Sequence, residues 1–137
     1  MSETKSGNQM IIEEFRENDG RVGGPFEGAP LLLLHHTGAK SGNAYVNPLM
    51  YQEVDGGWAV FASKGGHTED PAWYANLLAH PQTSVEVGTQ TFEVTAREAQ
   101  GDERERIWEA QKLAYPQFAG YEQTAGREIP VIVLERR

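Results

Sequence analysis

The chain has 137 residues, enough for one domain with a buried core and too few for two of ordinary size. Hydrophobic residues make up 39% and aromatics 9%, which is sufficient apolar surface to fold, while a formal charge of -8 and the lack of any concentrated basic face argue against a nucleic-acid partner. Cysteine is absent, which excludes disulfides, thiolate metal sites and a cysteine nucleophile and fits a reducing compartment.

Met1 to Gln9 is polar and carries no apolar signal-peptide core, and the longest apolar run, Ala29 to Leu34, is too short to cross a bilayer. A cytoplasmic location is expected, with peripheral contact to the inner face of a membrane left open. Met10, Ile11, Ile12 and Phe15 form a helical stripe, and Gly20, Gly23, Gly24, Pro25 and Gly28 then break the chain. Residues 1–28 are therefore expected as a helix and loop laid over a single domain, residues 29–137.

Leu31 to His36 reads as a covered strand that ends in a polar turn, Thr37 to Asn43. Ala44 to Tyr51 and Trp58 to Ala62 read as a hairpin across Asp55-Gly56-Gly57. "HTEDPAWYANLLAHP" reads as a helix capped by Asp70, with Pro71 at its first position and Pro81 as its stop. Within it Trp73 and Leu77 share one face, as do Tyr74 and Leu78.

A second hairpin joins Ser84 to Val87 and Thr91 to Val94 across Gly88-Thr89. "GDERERIWEAQKLAYP" reads as a helix with Asp102 and Glu105 in capping-box spacing and Ile107, Trp108, Ala110 and Ala114 on the buried side. A last strand covers Val131 to Leu134. Five or six short strands with three helices, in no strand-helix-strand rhythm, predict a mainly β fold with flanking helices: an antiparallel sheet or small barrel.

His35 and His36 are neighbours on a strand, so they point to opposite faces and do not make a joint metal site; one can be a hydrogen-bonded core histidine while the other faces a cavity. His67 and His80 add no ligand spacing, so no metal is expected. Ser41 and Ser63 lack a nucleophile-elbow context, and "HTGAKSG" lacks the glycine spacing of a Walker loop. A more useful grouping is Thr37, Lys40 and Ser41 in one turn with Ser63, Lys64, Gly65 and Gly66 in another. Hydroxyls, backbone N–H groups and two ammonium groups suit phosphate or carboxylate oxygens, and the start of the Pro71 helix adds further N–H groups. Trp73, Tyr74 and Asn76 follow closely enough to line the same pocket, although Trp73 serves equally as a core anchor. Tyr115, Phe118 and Tyr121 stand at triplet spacing, as a lid over a ring-shaped substrate or as an aromatic latch over the barrel.

The ordered pieces "TGAKSG", "VNPLMY", "ASKGG", "PAWYANL", "YPQFAGY" and "REIPVIVLE" span roughly residues 29 to 135 and together closely resemble the deazaflavin-dependent nitroreductase family, an actinobacterial branch of the FMN-binding-like split barrels. The resemblance implies a split antiparallel β-barrel that binds reduced 8-hydroxy-5-deazaflavin, coenzyme F420, with FMN a poorer match. Hydride would pass from that coenzyme to a quinone-like or nitroaromatic acceptor. It further implies that Lys40, Ser41, Ser63, Lys64 and Gly65 hold the anionic part of the coenzyme, and that Pro48, Met50, Ala62, Trp73 and Asn76 lie along it. Ser63, Tyr115, Phe118 and Tyr121 are implied at the acceptor. Ala39 and Tyr45 stand where the family commonly has basic residues, and Phe118 where a well-known nitroreductase has tyrosine, which favours a quinone-like acceptor over a nitroimidazole. The second function considered is a binding or storage protein for a flavin, deazaflavin or lipid; the assembly is expected to be a monomer or weak homodimer.

Overall fold

Alternation along the first strand decides how the domain is layered. The computed structural model describes residues 7–22, 30–62, 71–126 and 128–137. Helix α1 (Gly7–Glu17) precedes strands β1 (Leu31–Thr37), β2 (Ala44–Val54) and β3 (Gly57–Phe61). Helix α2 (Ala72–Ala79), strands β4 (Gln82–Val87) and β5 (Gln90–Glu98), helices α3 (Gly101–Ala114) and α4 (Gln117–Ala125) and strand β6 (Val131–Arg136) follow. The strands close an antiparallel barrel in the order β1-β2-β3-β6-β5-β4.

On β1, Leu32 and Leu34 point inward to a core shared with Trp58, Val60, Val85, Val94, Ile132 and Leu134, and α2 plugs that core with Trp73 and Leu77. Leu31 and Leu33 point outward, against Phe15 and Val22, so α1 covers this face. Four consecutive leucines are thus buried because both faces of the strand are covered, each contributing about 1.5–3 kcal/mol by transfer from water. The outer face of β3 and β6 forms a third layer: Ala59, Phe61, Val131 and Val133 pack against Ile107, Trp108 and Phe118.

Arg16 tethers α1 to β4 through both Glu86 oxygens, at 3.1 and 2.7 Å, and His35 Nε2 meets the same carboxylate at 2.7 Å. Hydrogen bonding from Arg16 holds the Glu86 carboxyl below the ordinary carboxylate range, against the opposing effect of burial, with His35 adding to the depression. A depressed carboxylate contributes stability that is fully present above its unfolded value and lost as pH falls through its folded value. Thermal unfolding between pH 7 and pH 3 is expected to show a smaller acid-induced loss of Tm in Glu86→Gln than in the parent chain. Equal losses in both would exclude Glu86 as a source of acid sensitivity.

Several local expectations are corrected. The α2 N-cap is Pro71 itself, in an extended conformation and with no side-chain cap bond, so proline precedes the helix by one position; Asp70 lies outside the described residues. The α3 N-cap is Gln100, which leaves Asp102 and Glu103 in the first turn, where they favour the helix dipole instead of forming a capping box. Ala110 and Ala114 are exposed; Arg104 and Gln111 take the buried positions beside Ile107 and Trp108. A fourth helix, α4, carries Phe118 and Tyr121 of the aromatic triplet, while Tyr115 is the C-cap of α3.

The "DGG" turn divides its labour. Val54 pairs with Gly57, so the turn proper is Asp55-Gly56, with Gly56 at φ +80°. Gly57 already belongs to β3, where a Cβ would run into the Leu134 carbonyl oxygen of the paired β6. Because the obstacle is backbone in the middle of the barrel, Gly57→Ala is expected to cost about 2–3 kcal/mol in chemical denaturation. A loss below half a unit would mean that the β3–β6 pair yields more easily than its register implies.

Candidate functional site

The site grows from the hairpin of β1 and β2, whose seven-residue register runs without a break from Leu31↔Met50 to Thr37↔Ala44. Directly paired residues share a face, so Tyr45 and Asn47 lie on the inner side with His36, whereas Val46, Pro48 and Met50 lie on the outer side. β3 pairs only with Tyr51 to Val54, so the half of β2 that carries Pro48 is bonded to β1 alone. A proline inside a strand is tolerated on such an edge, where no second partner needs its N–H.

On the inner side, a cleft of about 490 Å³ opens between the hairpin tip and α2, lined by His36, Lys40, Ser41, Tyr45, Asn47 and Asn76 together with small residues of both elements. His36 is buried and hydrogen-bonds on both ring nitrogens, Nε2 to Asn47 Oδ1 at 2.6 Å and Nδ1 to Asn76 Nδ2 at 2.9 Å. Burial lowers its pKa from the usual imidazole value, and neighbouring His35 adds to the depression while the Asn47 bond opposes it. Asn76 Oδ1 in turn accepts the backbone N–H of Ala39 at 2.9 Å, which fixes the tip immediately before Lys40. Tyr45 stacks on His36 with ring centroids 5.5 Å apart, and Ser41 Oγ accepts the Asn43 N–H at 3.1 Å. The contact with Ser41 draws the exposed Tyr45 phenol below its usual pKa.

On the outer side, Val46, Pro48 and Met50 are half-buried. Met50 packs against both outer clusters, the Phe15, Val22, Leu31 and Leu33 group that Ile11 and Ile12 also join and the Phe61, Trp108 and Phe118 group that Tyr115 and Tyr121 also join. Phe118 is enclosed, its ring in edge contact with Phe61, Trp108 and Tyr121, while Tyr115 and Tyr121 remain half-exposed. The next outward residue of β2, Gln52, donates to the Ile107 carbonyl at 3.0 Å and to Gln111 Oε1 at 3.3 Å. Gln111 Nε2 is buried and has no hydrogen-bond partner among the described residues.

The predicted site residues therefore fall into three places. Lys40, Ser41 and Asn76 come together in the inner cleft. Pro48, Met50, Tyr115, Phe118 and Tyr121 belong to the outer face of β2 and the layer beside it. Ala62 and Trp73 are core residues of the barrel, 0% and 4% exposed, and do not line the cleft. Ser63, Lys64 and Gly65, like Gly66 and His67, lie outside the described residues. Asn47 was missed, although its signal was available: in an antiparallel hairpin it stands diagonal to His36 on the same face. Among the described residues no group of three His, Asp or Glu is placed to hold a metal.

The hairpin tip offers the Lys40 ammonium and the Ser41 hydroxyl, and the outer face of β2 offers half-buried Val46, Pro48 and Met50. An antiparallel barrel with a hairpin tip and a flanked outer strand of this kind defines the split-barrel class of flavin and deazaflavin proteins.

The match to known proteins is more specific. The family model for F420H(2)-dependent quinone reductase matches residues 9–136, and the chain belongs to that family, whose cofactor is coenzyme F420. It is 37% identical over 127 residues to an F420H(2)-dependent quinone reductase of Mycobacterium tuberculosis, covering 90% of this chain and 85% of the relative. A solved F420-H2 dependent reductase (FDR-A) superposes with a TM-score of 0.71 at 44% identity, covering 77% of this chain and 94% of that one. A second structure, described as a domain-swapped dimer, superposes at 0.73 with 40% identity and covers 93% of both chains. Among the described residues no helix is long and apolar enough to cross a membrane.

Proposed function

We propose that this protein oxidises the reduced deazaflavin coenzyme at the expense of a quinone, with the coenzyme's anionic part at the β1–β2 tip and its ring on the outer face of β2. The observation that carries the reading is the course of β2 itself. Its tip bears Lys40 and Ser41, its outer face bears Pro48 and Met50, and Met50 packs on the same buried cluster as Tyr115 and Tyr121. From Val46 to Met50, both on the outer face, the strand advances ~13 Å, long enough to carry a three-ring system.

When bound, the deazaflavin supplies the hydride; the protein's task is placement. Lys40 and the Ser41 hydroxyl bind phosphate or carboxylate oxygens, and Pro48 and Met50 give the ring a flat wall. Phe118 is a rigid support behind Tyr115 and Tyr121, whose hydroxyls are the acceptor-side donors. A phenol there stabilises negative charge on the accepting oxygen by hydrogen bonding. Ser63 is retained as a second acceptor-side donor, Lys64 and Gly65 as coenzyme contacts. Met10, exposed on α1 beside the half-buried Ile11 and Ile12, gives a short apolar strip for transient contact with a quinone-bearing membrane, and the protein acts as a cytoplasmic monomer or weak homodimer.

The test is anaerobic: purified protein is titrated with the reduced coenzyme and menadione is then added. Binding followed by menadione-dependent oxidation supports the reductase reading. Binding without turnover supports storage, and absence of binding removes both.

A further inference from the structure

We propose that His36 is a positioning residue that gates the coenzyme-binding tip by its protonation state: neutral His36 locks the Ala39–Lys40 turn, and protonated His36 releases it. The inference rests on the proposed function, since it assigns regulation to the same tip.

Hydrogen-bond direction carries the argument. The Ala39 backbone N–H is an unambiguous donor, so the atom of Asn76 that meets it at 2.9 Å is the amide oxygen. Asn76 must then present its NH2 to His36 Nδ1, at 2.9 Å, and that nitrogen must be the unprotonated acceptor. The His36 proton therefore sits on Nε2 and is donated to Asn47 Oδ1 at 2.6 Å. All three bonds run in one direction, from Ala39 through Asn76 and His36 to Asn47. The chain fixes the tautomer and holds no place for a second proton.

Adding a proton at Nδ1 sets an N–H against the Asn76 NH2. Turning the Asn76 amide around relieves that clash and creates another, because its NH2 then faces the Ala39 N–H. Either way one bond is lost in a site where Asn76 is 9% exposed and water is a poor substitute. The bond at stake is the one that anchors the backbone adjoining Lys40.

The electrostatic surroundings disfavour the added proton. Among the described residues, the charged and titratable groups near His36 are Lys40 and Tyr45 in the same cleft and His35, the next residue of β1. β2 contributes Asn47 and Tyr45 and α2 contributes Asn76, so no described carboxylate in the cleft lining compensates an imidazolium. His35 has its own carboxylate, Glu86, on the opposite face.

Coenzyme affinity is therefore expected to be flat above neutral pH and to weaken by about five- to tenfold as pH falls below the titration of His36, the equivalent of one lost hydrogen bond. Asn76→Asp is expected to abolish the pH dependence, because a carboxylate accepts from both the Ala39 N–H and a protonated Nδ1. In that variant His36 titrates at higher pH and acidification no longer weakens binding.

The experiment has two arms. In the first, nitrogen-15 NMR of the protein without coenzyme follows the His36 ring and the Ala39 amide from pH 8 to pH 5. The Nε2–H tautomer and an Ala39 amide that shifts with the same midpoint support the relay; the other tautomer, or an Ala39 amide indifferent to that titration, overturns it. In the second, the dissociation constant of reduced deazaflavin is measured across the same range for the parent, His36→Asn and Asn76→Asp. A parent profile that is steeper than that of His36→Asn and abolished by Asn76→Asp supports the gate; three parallel profiles overturn it while leaving the proposed function intact. If the coenzyme binds none of them, the proposed function fails and the NMR arm still decides the relay.

Discussion

Arg104→Ala is expected to lower stability by about 2–3 kcal/mol, because it leaves the buried Ile129 carbonyl without its donor and removes the cation beside half-exposed Glu122. The Arg104 side chain is 9% exposed. It donates to the Ile129 carbonyl at 2.7 Å, reaches Glu122 at 3.2 Å and lies over the Trp108 ring at 5.5 Å, while Glu128 meets it at 2.9 Å from an exposed position. Glu122 meanwhile accepts the Trp108 indole N–H at 2.9 Å. One guanidinium thus ties α3, α4 and the entry to β6 together. Its loss strands a carboxylate and a backbone carbonyl and uncovers an aromatic face. Urea denaturation at neutral pH measures the effect, with Glu105→Ala as a control: Glu105 also touches Arg104, at 3.2 Å, but from an exposed position, so its removal should cost less than about 0.5 kcal/mol. Similar losses in the two variants would refute the distinction between the buried network and its rim.

Lys40→Ala is expected to raise the dissociation constant of the reduced coenzyme by about 10- to 100-fold, the range for one charge-assisted bond to a phosphate or carboxylate. The protein is acidic overall, with a formal charge of -8, so a local cation at the tip must act against the average field. The Lys40 side chain is exposed, and its contribution is therefore screened by salt. Parent affinity should fall as ionic strength rises, and the Lys40→Ala variant should show a shallower dependence. Tyr115→Phe should leave coenzyme affinity nearly unchanged and slow acceptor reduction at saturating coenzyme. Equal, small effects of the two substitutions would refute the separation of tip and acceptor side.

The sequence made the barrel legible where local patterning and tertiary demand agree. The β2–β3 and β4–β5 hairpins follow from glycine turns flanked by strand-like apolar runs, and the four leucines of β1 announce a strand covered on both faces. Helix caps were less legible, since a proline or glutamine in extended geometry can stand where Asp70 or Asp102 is the better chemical cap. The buried side of α3 was misread for a related reason. Ala110 and Ala114 are apolar but exposed, whereas Arg104 and Gln111 are polar but buried, their groups engaged by Glu122 and Gln52 from elsewhere in the chain. Such burial depends on partners distant in sequence, which periodicity does not encode. The placement of His35 and His36 on opposite faces follows from strand geometry alone; that one meets Glu86 and the other Asn47 and Asn76 needs the register of three elements. The separation of Asn47 from Pro48 and Met50, across the two faces of one strand, likewise emerges only once β2 is paired.

The most direct measurement is a single-turnover experiment in which protein carrying one equivalent of reduced deazaflavin is mixed anaerobically with excess menadione and the coenzyme absorbance is followed. Oxidation of the bound coenzyme should be complete, faster than in the absence of protein, and slowed by Tyr115→Phe at unchanged coenzyme occupancy. Coenzyme that binds stoichiometrically yet is oxidised no faster than free in solution would contradict the assignment of hydride transfer to this barrel.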